Sequence, residues 1–313
     1  MTAPQPARSR LIFAGTPPVA IPALNALVSA GHDIAAVVTR DDAPLGRKRV
    51  LTPSPVAKRS SELGIPTIKA NRLNIEVTAR IAALRPELGV IVAYGGLVRE
   101  PLLSTPRLGW INLHFSLLPR WRGAAPVQHA IMAGDTATGA AVFRLVPELD
   151  AGAVFDVVER DIGADETSGE LLEALATDGA ALLASTVARL LRGDARAVEQ
   201  VGEPTLAPKL TIDDAKLRWD EPADAVYNRL RAVTPEPGAF TEIDGDRVKI
   251  LSARSLAGQP ALAPGRLARR DGRILVGTAT HPLELLAVQP AGKRAMPAAD
   301  WWRGLAAAEV VAG

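Results

Sequence analysis

Short apolar runs alternate with helix-patterned segments through the first half of the chain, and this alternation constrains the fold more than any other feature. Leu11-Ile12-Phe13-Ala14, residues 34–38, residues 65–68, Val90-Ile91-Val92-Ala93-Tyr94 and residues 110–114 are apolar at nearly every position. A strand that is apolar on both faces must be covered on both, the condition met in a parallel sheet between helices. One helix is predicted to open at Pro17-Pro18, where a missing N–H costs little, and to stop at Gly31. Others are expected over residues 56–63, stopped by Gly64, and over residues 75–84. The first half therefore reads as a doubly wound α/β domain with a mostly parallel sheet. Its ligand crevice is expected beyond the carboxyl ends of the strands.

The pattern then changes. Thr167-Ser168-Gly169-Glu170 has capping-box spacing and opens a long helix that ends by Gly193. Residues 194–209 form a polar connector containing Pro and Gly. Beyond it, Phe240-Thr241-Glu242-Ile243 and Arg247-Val248-Lys249-Ile250-Leu251 flank Asp244-Gly245-Asp246, a hairpin signal. A second such turn is Arg269-Arg270-Asp271-Gly272-Arg273, leading into Ile274-Leu275-Val276. The expected organisation is a first domain of residues 1–193, a linker of residues 194–209 and a second domain of residues 210–313. The second is read as a small β-barrel closed by a helix around residues 298–308, an architecture that often binds oligonucleotides.

Composition removes several chemistries. A chain of 313 residues without Cys has room for two domains but holds no disulfide, thiolate nucleophile or Cys metal site, and it suits a reducing compartment. The leader before Leu11 is polar and the apolar run behind it is brief. No signal peptide is expected, nothing later is read as a membrane span, and the cytoplasm is the predicted location. Lys and Arg total 36 against 34 acidic residues, a net of +2, so any footprint for nucleic acid has to be local. Two clusters qualify, Arg40 with Arg47-Lys48-Arg49, and Arg266 with Arg269, Arg270 and Arg273; taken alone, each reads better as solvated surface. There is no Gly-x-Gly-x-x-Gly after the first strand and no Walker loop, which argues against a dinucleotide or a nucleoside triphosphate bound in the usual manner. Near-neutral charge and the lack of a heptad pattern point to a monomer.

The informative stretch is Trp110-Ile111-Asn112-Leu113-His114-Phe115-Ser116-Leu117-Leu118-Pro119-Arg120-Trp121-Arg122-Gly123-Ala124-Ala125-Pro126. Side chains alternate along a strand, so Asn112 and His114 share one face while Ile111 and Leu113 share the packed one. A polar pair at the carboxyl end of a buried strand is costly unless hydrogen-bonded, which points to a site. A lone histidine there would read as a satisfied core residue; the adjoining Ser-Leu-Leu-Pro and Arg-Gly-x-x-Pro segments decide for function. On spacing alone, Asp150 is an ordinary turn aspartate.

Asn112-x-His114, followed by Ser116-Leu117-Leu118-Pro119 and Arg122-Gly123-Ala124-Ala125-Pro126, resembles the folate-dependent formyltransferases, and the likeness spans nearly the whole chain. Phe13-Ala14-Gly15-Thr16-Pro17 is similar to the family's first strand and turn, and Pro53-Ser54-Pro55-Val56 to the segment after its basic loop. Val92-Ala93-Tyr94-Gly95 is similar to its folate-side strand and Leu149-Asp150-Ala151-Gly152 to its acidic loop. Gln289-Pro290-Ala291-Gly292-Lys293 resembles the terminal domain of the branch that acts on aminoacylated tRNA.

The resemblance implies a Rossmann-like formyltransferase fold with an OB-like terminal domain. It implies transfer of a formyl group from 10-formyltetrahydrofolate to the α-amino group of methionine on initiator tRNA, a step of bacterial translation initiation, with no metal required. Asn112, His114 and Asp150 would be catalytic. The first two would aim N–H donors at the formyl oxygen as negative charge builds, worth roughly 3–4 kcal/mol per donor. Asp150 would hold the imidazole in its donating form and help take the ammonium proton. The folate is expected beside Val92, Ala93, Tyr94, Gly95 and Leu97, with Ser116, Leu117, Leu118 and Pro119. The tRNA is expected to meet Arg40, Arg47, Lys48, Arg49, Arg120, Arg122, Arg266, Arg269, Arg270, Lys293 and Arg294.

The chain departs from the family in two places. The basic loop has Asp41-Asp42-Ala43-Pro44 where Pro-Asp-Arg-Pro is usual, and Phe115 follows the histidine where a small residue is usual. Two rival readings remain, a formyltransferase for a glycinamide ribonucleotide or an amino sugar, and a non-catalytic RNA-binding protein on the same scaffold. The domain after residue 210 speaks against the first. The intact Asn112, His114 and Asp150 set speaks against the second.

Overall fold

Among the residues described by the computed structural model, 9–46, 48–305 and 310–313, seven strands form the first sheet. Their order across it is Val154–Asp161, Ala137–Arg144, Trp110–His114, Leu88–Val92, Arg10–Gly15, Asp33–Thr39 and Thr67–Lys69. The five strands from Trp110–His114 to Thr67–Lys69 are parallel, as expected, and Ala137–Arg144 runs antiparallel to Trp110–His114. From Arg10–Gly15 the chain first adds strands on one side and then crosses to Leu88–Val92 on the other. The carboxyl ends of those two strands therefore bound a topological switch point, where open α/β sheets bind ligands.

Local chemistry accounts for the helices that cover this sheet. Pro55–Glu62 starts with Pro at its first position and Ser54 as N-cap, whose hydroxyl accepts the Ala57 N–H at 3.0 Å. Asn74 caps Ile75–Ala83 in the same way through the Val77 N–H. The expected capping box is formed, with the Thr167 N–H and hydroxyl both donating to Glu170 Oε2, at 2.9 and 2.7 Å. The helix it opens, Ser168–Arg192, is long and apolar enough to span a membrane, although no span is expected from the sequence. Its buried residues, including Leu175, Ala176, Leu183, Val187 and Leu190, recur at helical spacing, the stripe of an amphipathic core helix. At Gly179 an added Cβ would stand 3.0 Å from the Leu113 side chain, so this helix lies directly behind the His114 strand.

The second sheet orders Phe240–Ile243, Asp246–Ser255, Leu283–Pro290, Arg273–Val276, Arg266–Arg270 and Val310–Val311, with antiparallel neighbours. Asp244-Gly245 and Asp271-Gly272 make its two tight hairpins, all four residues having positive φ (49–82°), as type I′ turns require. Ile243 bridges Ala312, and Glu242 and Gly313 exchange N–H···O bonds of 3.0 and 2.9 Å. The two edges thus meet and the sheet closes on itself at this point. The closing helix is Ala298–Arg303; the far end of its expected span, at Ala308, lies outside the described residues.

The two compact units are not continuous in sequence. One unit takes the chain up to Ala124 with Thr138–Arg160 and Leu172–Ala207; the other takes Ala125–Ala137, Asp161–Leu171 and Pro208–Gly313. The reason is hydrogen bonding. Arg231 donates to the carbonyls of Gly163 and Glu166, and the Tyr227 hydroxyl donates to Asp165, which draws Asp161–Leu171 into the second unit. The presumed linker pairs instead with the first, through Val198 on Val154 and Leu206–Ala207 on Arg122–Gly123.

Ser54 bears a clear test of this local chemistry. Its hydroxyl also shares a 2.7 Å hydrogen bond with that of Thr39, which is wholly buried. Ser54→Ala removes the cap and leaves Thr39 unpaired, so chemical denaturation should show a loss of about 1–3 kcal/mol. A neutral result would contradict the pairing.

Candidate active site

Asn112 and His114 stand at the carboxyl end of their strand, held in register by pairing of Ile91 with Asn112 and of His114 with Ala141. His114 is 5% exposed. Its Nε2 lies 2.8 Å from the Trp121 carbonyl, and a carbonyl only accepts, so Nε2 carries a proton and donates it. The other ring nitrogen, Nδ1, faces Asp150, with Oδ2 3.9 Å away. Burial holds the imidazole below its ordinary pKa; the Asp150 carboxylate, and then the bond to Trp121, oppose that shift. The resting ring is therefore neutral, with one nitrogen committed and one left for chemistry. Asn112 contributes a buried Oδ1 that has no partner among the described residues, an acceptor placed for an incoming donor.

Asp150 reaches this ring from a loop after the neighbouring strand. Its backbone is left-handed, with φ of 47°, which aspartate tolerates better than most residues. Its Oδ2 accepts the Gly123 N–H at 2.8 Å. The loop is pressed onto the Ala137–Arg144 strand: a Cβ at Gly152 would lie 1.8 Å from the Arg144 carbonyl oxygen. Asn112, His114 and Asp150 are thus brought together, as expected. Sequence spacing had left Asp150 an ordinary turn residue; what makes it more is the Gly123 N–H and the ring nitrogen it faces.

The expected folate-side residues divide. Beyond Val92 the chain turns through Ala93 and Gly95, both exposed and at positive φ (48° and 77°), and Leu97 is 65% exposed. Tyr94 points the other way. Its ring is buried in the core, its hydroxyl donates to the Ala70 carbonyl at 2.7 Å and its carbonyl accepts from Thr16. Burial raises its pKa. Tyr94 therefore supports the turn from beneath and does not form a wall of the crevice. Ser116 is wholly buried and its hydroxyl donates to the Arg120 carbonyl at 2.6 Å, closing the turn that carries Leu117, Leu118 and Pro119. Phe115 is buried as well.

The expected tRNA set is scattered. Arg40 donates to the Gly95 carbonyl, at the folate-side turn. Lys48 and Arg49 are exposed between the short strands Ala43–Leu45 and Val50–Thr52, whose Leu45, Val50 and Leu51 are also exposed. Arg47 lies outside the described residues. The Arg120 guanidinium stacks 4.9 Å from the Trp121 ring centre. Arg122 donates through Nε and Nη2 to Gln200 Oε1, at 3.1 and 2.6 Å. In the second unit Arg266 and Arg269 are exposed, Arg270 donates to the Pro260 carbonyl, and Lys293 and Arg294 are exposed in a turn. Sequence reasoning missed Gln200 and Thr205, which reach the site loops from the presumed linker; no local pattern marks either residue.

The family "Formyl transferase" matches residues 8–187, and "Formyl transferase, C-terminal domain" matches residues 209–306. A methionyl-tRNA formyltransferase from Clavibacter sepedonicus is 62% identical over 97% of this chain and 99% of its own length. Its namesake from Leifsonia xyli subsp. xyli is 63% identical over 94% and 97%. In structure, an N-formyltransferase from Helicobacter canadensis in complex with folinic acid and dTDP-3-aminofucose superposes with a TM-score of 0.67 at 15% identity, over 90% of this chain and 99% of that one. That likeness is one of fold.

The buried imidazole carries a pH signature. In the unfolded chain it binds a proton at about pH 6.5, whereas the folded site resists the proton. On the acid side of 6.5 the unfolded state binds more protons, so stability is lost as the pH drops from about 6.5 until the lowered folded pKa is passed. Thermal unfolding between pH 7 and 5 should therefore show a smaller acid-side drop in His114→Gln than in the unmodified protein. Identical drops would mean that His114 titrates alike in both states.

Proposed function

This chain belongs to the formyl transferase family, and from that premise we propose that it moves a formyl group from 10-formyltetrahydrofolate to the α-amino group of methionyl initiator tRNA. The observation that carries the chemistry is His114, buried with Nε2 given to Trp121 and Nδ1 facing Asp150, two residues from the unpartnered Oδ1 of Asn112. The amine attacks the formyl carbon and negative charge gathers on the formyl oxygen. The proton released by the amine passes to Nδ1, where the Asp150 carboxylate stabilises the imidazolium that results. That cation then offers the oxygen an N–H donor at the moment its charge is greatest, and the proton leaves with N10 as the C–N10 bond breaks. Asn112 completes the donor pair through its amide N–H, while its Oδ1 accepts from the amine and orients it. Ala93 and Gly95, exposed at the switch point, are the backbone against which the folate lies. The reaction belongs to the cytoplasm and to translation initiation.

Acceptance of tRNA in preference to a small amine is favoured by identity to methionyl-tRNA formyltransferases that continues through the second unit. Labelled 10-formyltetrahydrofolate offered in parallel to methionyl initiator tRNA, glycinamide ribonucleotide and an amino sugar should label only the tRNA. Formylation of a small amine alone would refute the reading. His114→Ala should lower kcat by about 10²–10³-fold with tRNA affinity nearly unchanged.

Phosphate contacts are assigned to the exposed cations of the closed sheet. Removing residues 210–313 would be a poor test, because the helix Pro126–Met132 packs on Ala223–Ala232 within that unit and would be stripped bare. Replacing Lys293 and Arg294 together with Ala is cleaner. It should raise the tRNA KM and reduce its dependence on log salt by about one to two, leaving kcat intact. An unchanged salt slope would exclude both residues from the contact.

A further inference from the structure

We infer that residues 198–207 form a positioning strap across the catalytic centre, with Gln200 and Thr205 as its working side chains. The inference rests on the formyl-transfer reading for its kinetic expectations. The strap is tied by backbone along its length. Val198 and Val154 exchange two N–H···O bonds of 2.8 Å. The Arg122 N–H donates to Thr205 at 2.9 Å, the Ala124 N–H to Ala207 at 2.8 Å and the Thr205 N–H to Pro119 at 3.3 Å. One short segment therefore binds both loops that bring reacting groups to the site.

Gln200 commits its whole carboxamide. Oε1 accepts from Arg122 Nε and Nη2, while Nε2 donates to the carbonyls of Asp150 and Gly152, at 2.8 and 2.9 Å. A single planar group thus fixes the turn on which Asp150 stands with φ of 47°. Residues held in such sparsely populated backbone regions persist only where their surroundings over-determine them. Glutamate in its place would keep an oxygen for Arg122 but offer no N–H to the two carbonyls; leucine would offer neither.

Thr205 acts on the other partner. Its Oγ1 accepts the Trp121 N–H at 2.8 Å. Trp121 has φ of 62°, unfavourable for a bulky aromatic residue, and its carbonyl is the acceptor that fixes His114 Nε2. At Gly123, whose N–H binds the Asp150 carboxylate, an added Cβ would lie 2.5 Å from the Ala207 carbonyl oxygen. The strap therefore presses closest where the two loops meet. Gln200 acts through Asp150 and Thr205 through His114, which makes both of them positioning residues.

The test compares Gln200→Leu, Gln200→Glu, Thr205→Val and Thr205→Ser with the unmodified enzyme in the labelled-formyl assay, alongside the ¹⁵N shifts of the His114 ring. Misplacement of a reacting group on the scale of an ångström should lower kcat by roughly 10- to 100-fold in Gln200→Leu and Thr205→Val, with both KM values within about twofold. Thr205→Ser should restore the rate and Gln200→Glu should not. If Gln200→Leu fails to fold, Gln200→Glu and the Thr205 pair carry the comparison. A wild-type kcat in both Gln200 variants, or a Thr205→Ser enzyme as slow as Thr205→Val, overturns the strap. If the unmodified enzyme does not formylate methionyl-tRNA, it is the functional reading that falls. The ring shifts then decide the strap without substrate: His114 signals that move in Thr205→Val and return in Thr205→Ser uphold it, and signals that do not move overturn it.

Discussion

The environment of one imidazole organises this active site. Burial makes a charged His114 unfavourable, and the Trp121 carbonyl occupies Nε2, so only Nδ1 is left to gain or lose a proton. That nitrogen faces a carboxylate 3.9 Å away inside the protein, where charge–charge attraction is several times stronger than in bulk water. The resting enzyme is poised between two opposing terms, desolvation against the charge and Asp150 for it. A proton arriving with developing negative charge nearby would tip that balance, as the proposed role of His114, first base and then electrophile, requires. Neither term would suffice alone. A solvent-exposed histidine would spend its charge on water, and a buried one without Asp150 would have nowhere to place it.

The fold supplies each constraint from a different distance along the chain. The parallel sheet sets the end of the Trp110–His114 strand beside the switch point, and the Ser168–Arg192 helix packs against its Leu113 side chain. The Trp121 carbonyl comes from the loop just downstream. Asp150 comes from beyond the antiparallel strand Ala137–Arg144, and its carboxylate is aimed by the Gly123 N–H. The donors that hold these loops come from residues 198–207. The centre is therefore a tertiary construction around a local motif.

That division explains what the sequence revealed. Strands and helices were legible because burial on two faces leaves continuous apolar runs, and because Thr167, Asp244-Gly245 and Asp271-Gly272 act through neighbours within a few residues. Asn112 and His114 were legible as a pair because alternation along a strand is geometry and needs no context. Asp150 carried no local mark, and only family likeness raised it above a turn residue. Tyr94 was ambiguous for a physical reason: a hydroxyl inside an apolar run fits a crevice wall or a core equally well, and the Ala70 carbonyl that settles it lies 24 residues away. Residues 194–209 read as a linker because polar, Pro- and Gly-containing segments pair with nothing nearby. The partners of the Gln200 and Thr205 side chains lie 48 to 84 residues distant.

The same division bears on how activity can vary among chains that share the motif. In the proposed reaction Asn112, His114 and Asp150 specify which atoms take part, but rate would depend on whether Nδ1, Oδ2 and the Asn112 amide occupy mutually correct positions. Those positions follow from Trp121 at a φ of 62° and Asp150 at a φ of 47°, both of which are held from outside the motif. A substitution in the strap can therefore change turnover while every residue of the motif is retained. Phe115, adjacent to the histidine, is buried. Proximity in sequence to the reacting group is thus a poor guide to influence on it. The better guide is whether a residue donates to or accepts from the two left-handed peptides that aim the imidazole and the carboxylate at each other.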